Sequence, residues 1–217
     1  MFKRLPSLAL LLFAFALARH AAAQQLVRNP FTHNPAIVDE PTAPPPQHVH
    51  ILTSGLSFDL PVGWNYARRD GELSTFALDA RSSLPNTHFL SVAQLAFNPF
   101  PYSTFAGALF YTSTTPHSTA LSCSNQATAP ASHPVTTHQI GSIPFKHGYN
   151  EHGEVCTEAR DEVYTALRGS TCYRFDLVIN TFCGGEVSGS RDLTPQQLEA
   201  IRHRLETILN TVTFDPK

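Results

Sequence analysis

The sequence lacks the patterns by which several functional classes are recognised. Its 217 residues include 15 lysines and arginines against 17 aspartates and glutamates, a formal net charge of −2, and the basic residues form no cluster. Nucleic-acid binding needs basic side chains that face the phosphates, so we do not expect it. A glycine-rich phosphate loop and a Gly-x-Ser-x-Gly nucleophile motif are also missing. We therefore expect no cofactor and no catalytic activity.

Long apolar runs are equally scarce, and the one present stands near the start of the chain. Two basic residues precede the apolar residues 8–17, and three alanines end at Ala23, directly before Gln24. This order is typical of a secretory signal peptide. The apolar run has about half the length of a membrane-spanning helix. We predict a signal peptide at residues 1–23, cleavage between Ala23 and Gln24, secretion or periplasmic export, and no membrane span after cleavage.

Proline is abundant in the next segment, and aromatic residues are few. Residues 24–47 contain six prolines and have little to bury, so we predict a disordered, extended spacer. Residues 48–217 have the length of one ordinary domain. His48 and His50 would lie on one side of a strand, but a metal site needs three or four ligands and no third ligand stands close by in sequence.

Residues 55–64, which read Gly-Leu-Ser-Phe-Asp-Leu-Pro-Val-Gly-Trp, organise the predicted domain. Leu56, Phe58 and Leu60 alternate with polar residues, which predicts a strand with one apolar face. A proline then ends the strand because it lacks the amide hydrogen that a sheet requires. We expect Trp64, the only tryptophan, to anchor the core beside this strand.

The middle of the chain favours strands joined by tight turns. Residues 88–97 are apolar on both faces, which predicts a strand covered on both sides. Gly169 and Ser170 separate two long strand-like runs and suit a two-residue hairpin turn. A serine N-cap predicts a helix at residues 103–112. Further strands are predicted at residues 73–80, 140–145, 155–167 and 171–182.

The last helix has the clearest signature. Thr194, Pro195 and Gln197 match a capping box with proline at the first helical position. One apolar stripe follows at three- and four-residue steps, formed by Leu198, Ile201, Leu205, Ile208 and Val212. Hairpins outnumber strand–helix–strand crossovers along the chain. We therefore predict an α+β domain in which helices pack on the faces of a single antiparallel sheet.

The cysteines, Cys123, Cys156, Cys172 and Cys183, are even in number, which in an exported protein favours two disulfides over metal ligands or a redox pair. The predicted hairpin turn places Cys156 opposite Cys183, within disulfide reach. Cys172 and Cys183 would be separated by roughly 35 Å of strand. We therefore predict the pairs Cys156–Cys183 and Cys123–Cys172, which a register slip or a bulge would change.

Histidines that precede Cys156 form the best candidate metal site, at His133, His138, His147 and His152. Their spacings match neither a helical His-x-x-x-His pair nor a zinc-finger pattern. Solvated loop histidines explain them better, so we assign no metal to them. If they act, a weak surface site or a pH response would be the form.

Two short stretches resemble the domains related to PsbP, the extrinsic protein of photosystem II. Residues 55–64 are similar to the opening strand of those domains. Residues 208–214, which read Ile-Leu-Asn-Thr-Val-Thr-Phe, are similar to the end of their last helix and the short strand after it. The resemblance implies a PsbP-like α/β/α sandwich, and either a domain that binds protein partners or an exported bacterial protein of unclear role. No functional residue of the family maps onto this chain.

The sequence favours a non-enzymatic, exported binding or interaction domain whose partner is an unidentified protein or envelope component. The alternative is a metal- or small-ligand-binding protein that uses the histidines at 133–152. A hydrolase with an unrecognised site is the least favoured. Converging histidines in a cleft would support the alternative, whereas an exposed apolar patch would support the interaction domain.

Overall fold

The structure is a computed structural model, and it describes residues 42–69, 71–73, 86–130, 132–184 and 188–216. The side chains of His152 and Glu154 lie outside the described part. The predicted signal peptide, most of the predicted spacer and nearly all of the strand predicted at 73–80 also lie outside it. Within the described residues, neither helix combines the length and the apolar character that crossing a bilayer requires.

Ten strands and two helices are described, and they form one compact unit from Ala43 onwards. In chain order they are β1 Gln47–Ile51, β2 Leu56–Leu60, β3 Trp64–Ala67, β4 His88–Leu95, β5 Phe105–Thr115, α1 Ala120–Ser124, β6 Thr136–Ile140, β7 Ile143–Glu154, β8 Thr157–Arg168, β9 Thr171–Phe182, α2 Pro195–Leu209 and β10 Thr213–Phe214.

The strands form two sheets, so the prediction of a single sheet was wrong. One sheet has three strands in the order β1-β2-β10, and the other has seven in the order β3-β4-β5-β9-β8-β7-β6. All the neighbouring strands are antiparallel. The break falls at Pro61, which cannot donate to a ladder, and at Gly63, whose φ of 90° turns the chain into β3.

The main core lies between α2, the three-stranded sheet and one face of the seven-stranded sheet. The Thr194 capping box is present as predicted, and the apolar stripe of α2 faces inward with Ile201, Leu205 and Ile208 fully buried. Trp64 is buried in the same core, and the ring of Phe58 meets that of Phe110 edge-on at 5.4 Å. Strand β2 and helix α2 therefore hold the positions that their sequence patterns predict.

The opposite face of the seven-stranded sheet carries the short helix α1. Its Cys123 is bonded to Cys172 of β9, and the chain after the helix crosses β7 above Gly148. A Cβ atom at Gly148 would collide with the carbonyl oxygen of Thr128, so only glycine permits this close approach. Helices thus lie on both faces of the main sheet, and the α+β class with an antiparallel sheet is confirmed.

The long hairpin has the predicted register. Arg168 pairs with Thr171 across the Gly169–Ser170 turn, and the ladder continues to Thr157 opposite Phe182. Cys156 and Cys183 follow directly, and they are joined with a Cα–Cα distance of 4.5 Å. The disulfides of the structure are thus the two pairs that the register predicts. Strand β8 begins two residues later than expected, because Val155 and Cys156 form the turn from β7.

Two other sequence predictions were wrong. Residues 103–112 were expected to form a helix, but they lie largely in β5, which is paired on both sides with β4 and β9. Phe110, Tyr111 and Thr112 favour strands, and this tertiary pairing outweighs the serine N-cap signal. Residues 140–145 were expected to form one kinked strand, but Gly141, with a φ of 58°, instead makes the turn of a hairpin between β6 and β7.

Candidate functional site

Two of the predicted histidines lie together at the edge of the main sheet, on the face that carries α2. The ring of His147 stacks on Tyr164 at 4.4 Å, and the ring of His138 meets Tyr164 edge-on at 5.6 Å. Nε2 of His147 donates to Oε2 of Glu162 at 2.5 Å, and its Nδ1 lies 3.1 Å from the hydroxyl of Thr136. Both ring nitrogens of His147 therefore have protein partners, and neither is left for a metal ion.

Tyr164 is a packing residue in this group. Burial raises the pKa of its hydroxyl well above the usual value, and the negative charges of Glu162 and Glu206 raise it further. The phenol therefore stays neutral at any physiological pH. Its ring supports the two histidines from the core side, which is a structural role.

His133 lies elsewhere, and the remaining candidate is not described. The ring of His133 stacks on Tyr149 at 4.6 Å and lines a cleft of about 470 Å³ that also includes Glu151. Burial, followed by the charge of Glu151, raises the pKa of Tyr149 to about 12. The side chain of His152 lies outside the described residues. In the part of the chain that is described, no three His, Cys, Asp or Glu side chains are grouped so that they could hold a metal ion.

The histidines of the first strand have separate partners as well. Nδ1 of His48 lies 2.6 Å from Oδ1 of Asp59, and Nε2 of His50 lies 3.2 Å from Oδ2 of Asp215. These two imidazoles therefore pair with two different carboxylates.

A buried ionic group occupies the face of the main sheet beneath α1. Arg174 of β9 donates from Nε to Oδ1 of Asp176 at 2.8 Å, and its Nη2 forms an ion pair with the same oxygen at 2.5 Å. Its Nη1 also donates to the carbonyl oxygen of Gln126, just after α1, at 3.3 Å. Asp161 of β8 lies 3.8 Å from Arg174 and is 1% exposed. Two carboxyl groups and one guanidinium are thus enclosed together.

Asp161 is the weakly partnered member of this group. Among the described residues neither oxygen of its carboxyl group has a hydrogen-bond partner. Burial, then the neighbouring charge of Asp176, raises its pKa well above the usual 3.8, and the charge of Arg174 opposes this rise only in part. Within the described part of the chain, the hydroxyls of Ser113 and Thr165, which lie opposite Arg174, and Oε1 of Gln126 are also buried without a hydrogen-bond partner. Adjacent Asp161 and Glu162 lie on opposite faces of β8, as alternation in a strand requires.

A polar cleft of about 440 Å³ opens at the end of the main sheet beside the second disulfide. Arg160 lines it and is paired with Glu158 at 2.5 Å and with Glu151 at 3.4 Å. Asp192 adds a second carboxylate to the lining. Among the described lining residues the cleft has no cation that is free of a carboxylate partner.

An almost fully exposed aromatic side chain stands on the loop between β4 and β5. Tyr102 is 89% exposed, and its φ of 65° lies in the left-handed region, which is uncommon outside glycine. Phe97 of the same loop is 44% exposed and packs over Gly63, beside the exposed Val62. Val62, Phe97 and Tyr102 are exposed apolar side chains of this loop and of the β2–β3 turn, and we refer to them together as the aromatic loop surface.

Hydrogen bonds hold this loop in one shape. The hydroxyl and the amide of Ser103 both donate to the carbonyl oxygen of Phe100, at 2.5 and 3.2 Å. The amide of Arg191 donates to the carbonyl oxygen of Tyr102 at 3.0 Å. The sequence patterns did not predict this surface. The signal for it was a pair of aromatic residues, Phe97 and Tyr102, on either side of the loop prolines Pro99 and Pro101.

Comparison with known proteins gives structural likenesses only. No family model matches the chain, and no curated protein does. A crystal structure from Bacteroides thetaiotaomicron VPI-5482 is similar with 11% identity and a TM-score of 0.43, covering 80% of this chain and 49% of that one. The chain thus spans about half the length of the Bacteroides protein.

Two further solved structures are similar over most of their own length. LpqN, described as involved in cell envelope biogenesis of Mycobacterium tuberculosis, has 9% identity and a TM-score of 0.40, with 79% of this chain and 91% of LpqN covered. The solution structure of cyanobacterial PsbP from Synechocystis sp. PCC 6803 has 10% identity and a TM-score of 0.42, with 78% and 92% covered. A PsbP is thus among the solved structures that this chain is similar to, as the resemblance of residues 55–64 and 208–214 predicted.

Proposed function

We propose that the protein is an exported, non-enzymatic interaction domain that binds a protein partner through the aromatic loop surface. The observation that carries the proposal is the display of Tyr102. Tyr102 presents a large aromatic side chain almost fully to solvent from a left-handed loop backbone, and strained backbone of this kind clusters at binding sites.

The composition of the surface supports a protein as the partner. Tyrosine, tryptophan and arginine are the residues that most often dominate the binding free energy of protein interfaces. Here the guanidinium of Arg204 lies 5.8 Å from the ring centroid of Phe97. The backbone of Arg191 is held beside that of Tyr102 by the hydrogen bond described above. We therefore infer a partner surface with an apolar centre and carboxylates at its rim.

Export is part of the proposal and rests on the disulfides and on the predicted signal peptide. Disulfides persist in oxidising compartments and are rare in the cytosol. The two crosslinks of the structure leave none of the described cysteines free. Together they fit a periplasmic or extracellular protein.

Site-specific photocrosslinking tests the proposal. A photoreactive phenylalanine analogue at position 102 is expected to capture one protein of the producing cell's envelope or secreted fraction. The same analogue at Leu121, which is exposed on α1, serves as the matched control. The captured protein is then purified and titrated against the unlabelled domain.

The titration decides the outcome. We expect Tyr102→Ala to raise the Kd at least about tenfold, since a central interface aromatic contributes on the order of 2 kcal/mol, and Leu121→Ala to leave it unchanged. Equal capture from both positions, no capture, or a Kd that Tyr102→Ala does not change would each overturn the proposal.

A further inference from the structure

The two disulfides differ in their access to solvent. Cys123 and Cys172 are 2% and 0% exposed, and they lie between α1 and the main sheet. Cys156 is exposed and Cys183 is half-buried at the open end of the hairpin. Thiol–disulfide exchange requires an attacking thiolate to reach a sulfur atom, so access separates the two bonds chemically.

The backbone around Cys156 favours approach from outside. Cys156 is the second residue of the two-residue turn between β7 and β8, with a φ of 69° in the left-handed region. Its turn neighbour Val155 is 95% exposed, so this neighbour does not cover it. Cys156 and Cys183 both line the cleft of about 440 Å³, which is large enough to admit a small thiol.

We propose that Cys156–Cys183 is a redox-exchangeable disulfide that a small dithiol reduces in the native protein, whereas Cys123–Cys172 is a structural crosslink. The site is distinct from the aromatic loop surface, and its assignment rests on access and on the adjoining cleft.

The exchange is a balanced two-electron transfer. A thiolate of the dithiol attacks Sγ of Cys156, a new S–S bond forms, and the bond to Cys183 breaks with its electron pair leaving on Sγ of Cys183 as a thiolate. The second thiolate of the dithiol then attacks the first sulfur of the same dithiol, which is bonded to Cys156 in the mixed disulfide. This attack releases Cys156 as a thiolate. The dithiol becomes a cyclic disulfide, and the two protein thiolates take up its two protons.

The charge of the cleft selects between thiols. Glu158 and Asp192 line it, and its one guanidinium, that of Arg160, is already paired with two carboxylates. A neutral reductant such as dithiothreitol is therefore expected to react faster, per thiolate, than the anionic tripeptide glutathione. Added salt screens this difference and should reduce it.

Differential alkylation tests the proposal on the exported, fully oxidised protein. The native protein is exposed to dithiothreitol for graded times, quenched with iodoacetamide, unfolded, fully reduced and labelled with N-ethylmaleimide, and each cysteine is then quantified by mass spectrometry. We expect the iodoacetamide label to appear on Cys156 and Cys183 at a rate at least about tenfold higher than on Cys123 and Cys172, because only the former disulfide is accessible.

Two further readouts give the result its meaning. In denaturant the difference between the pairs should largely vanish, because the fold is what protects the buried bond. With a monothiol, the first mixed disulfide should form on Cys156. Equal rates in the native protein, a difference that persists in denaturant, or a first adduct on Cys183 would each overturn the inference.

Discussion

At the scale of single residues, the buried group of Asp161, Arg174 and Asp176 is the costliest feature described. Arg174 is paired with Asp176 through one hydrogen bond and one ion-pair contact to the same carboxylate oxygen. Asp161 is enclosed with them but lies 3.8 Å from the guanidinium. Burial disfavours the charged form of a carboxyl group that has no hydrogen-bond partner, so such a group tends to be protonated. Asp161 is therefore a pH-sensitive weak point of the sheet face beneath α1.

The pKa of Asp161 gives a prediction with a definite sign. The pKa of Asp161 is raised in the folded state above its ordinary value of 3.8. Between these two pKa values the folded protein binds more protons than the unfolded protein does. The free energy of unfolding therefore falls as the pH rises from about 4 through the raised pKa. Asp161→Asn removes this loss. We expect the variant to gain stability over the natural protein between about pH 4.5 and 8, as measured by urea unfolding at several pH values.

Asp176→Asn is the contrasting variant. It keeps an oxygen that can accept a hydrogen bond but removes the negative charge that compensates a buried guanidinium, which costs on the order of 3–5 kcal/mol. Asp59→Asn, at an exposed pair with His48, should change the unfolding free energy by about 1 kcal/mol or less. If Asp161→Asn is as destabilising as Asp176→Asn, then Asp161 is a charged partner of Arg174 and our assignment is wrong.

At the scale of elements, local signals account for what the sequence predicts well. Helix α2 begins at a capping box whose residues are all within four positions of one another, and the β8–β9 turn depends on two adjacent residues. Strand β5 depends on its pairing with β9, far along the chain, so its serine N-cap pattern was misleading. The β6–β7 turn at Gly141 is local, but the glycine and the proline of residues 140–145 were interpreted as a kink in one strand. The grouping of the histidines could not be predicted, because spacing along the chain does not say which side chains face each other across β6, β7 and β8.

The capping box of α2 provides the second prediction. The side-chain oxygen of Thr194 accepts from the amide of Gln197 at 3.3 Å, while Oε1 of Gln197 accepts from the amide of Thr194 at 2.9 Å. Thr194→Ala removes the hydrogen bond to the amide of Gln197 and weakens the reciprocal one. It should lower the free energy of unfolding by about 1 kcal/mol. Chemical denaturation measures the loss.

Thr207→Ala is the matched control in the same helix. Thr207 is exposed in the last turns and its hydroxyl donates only to the carbonyl oxygen of His203. Alanine favours the helix interior, so this variant should be neutral or slightly stabilising. A larger loss for Thr207→Ala than for Thr194→Ala would contradict the assigned role of the cap.

At the scale of the whole molecule, the two crosslinks close loops of different length. Cys123–Cys172 spans 49 residues and Cys156–Cys183 spans 27. Chain entropy alone assigns them about 4 and about 3.5 kcal/mol, a small difference. The longer crosslink also holds α1 and Gln126 over the buried Arg174, so its loss has a second cost.

The covering role of α1 gives the third prediction. The double variant Cys123→Ser/Cys172→Ser should lose more unfolding free energy than Cys156→Ser/Cys183→Ser, by more than the roughly 0.5 kcal/mol that loop length gives. Denaturant unfolding of the two variants under the same conditions compares them. A greater loss for the 156/183 variant would contradict the covering role of α1.

The pairing of β10 with β2 has a consequence for how the molecule is made. The small sheet joins the first strands of the domain to its last two-residue strand, and the amide of Asp215 donates to the carbonyl oxygen of Gly55 at 2.8 Å. A polypeptide grows from its amino end, so Leu56 waits for its neighbour Phe214 until almost the whole domain has been synthesised. A nascent chain halted before Thr213 would leave that edge open, and the synthesis of β10 is what closes it.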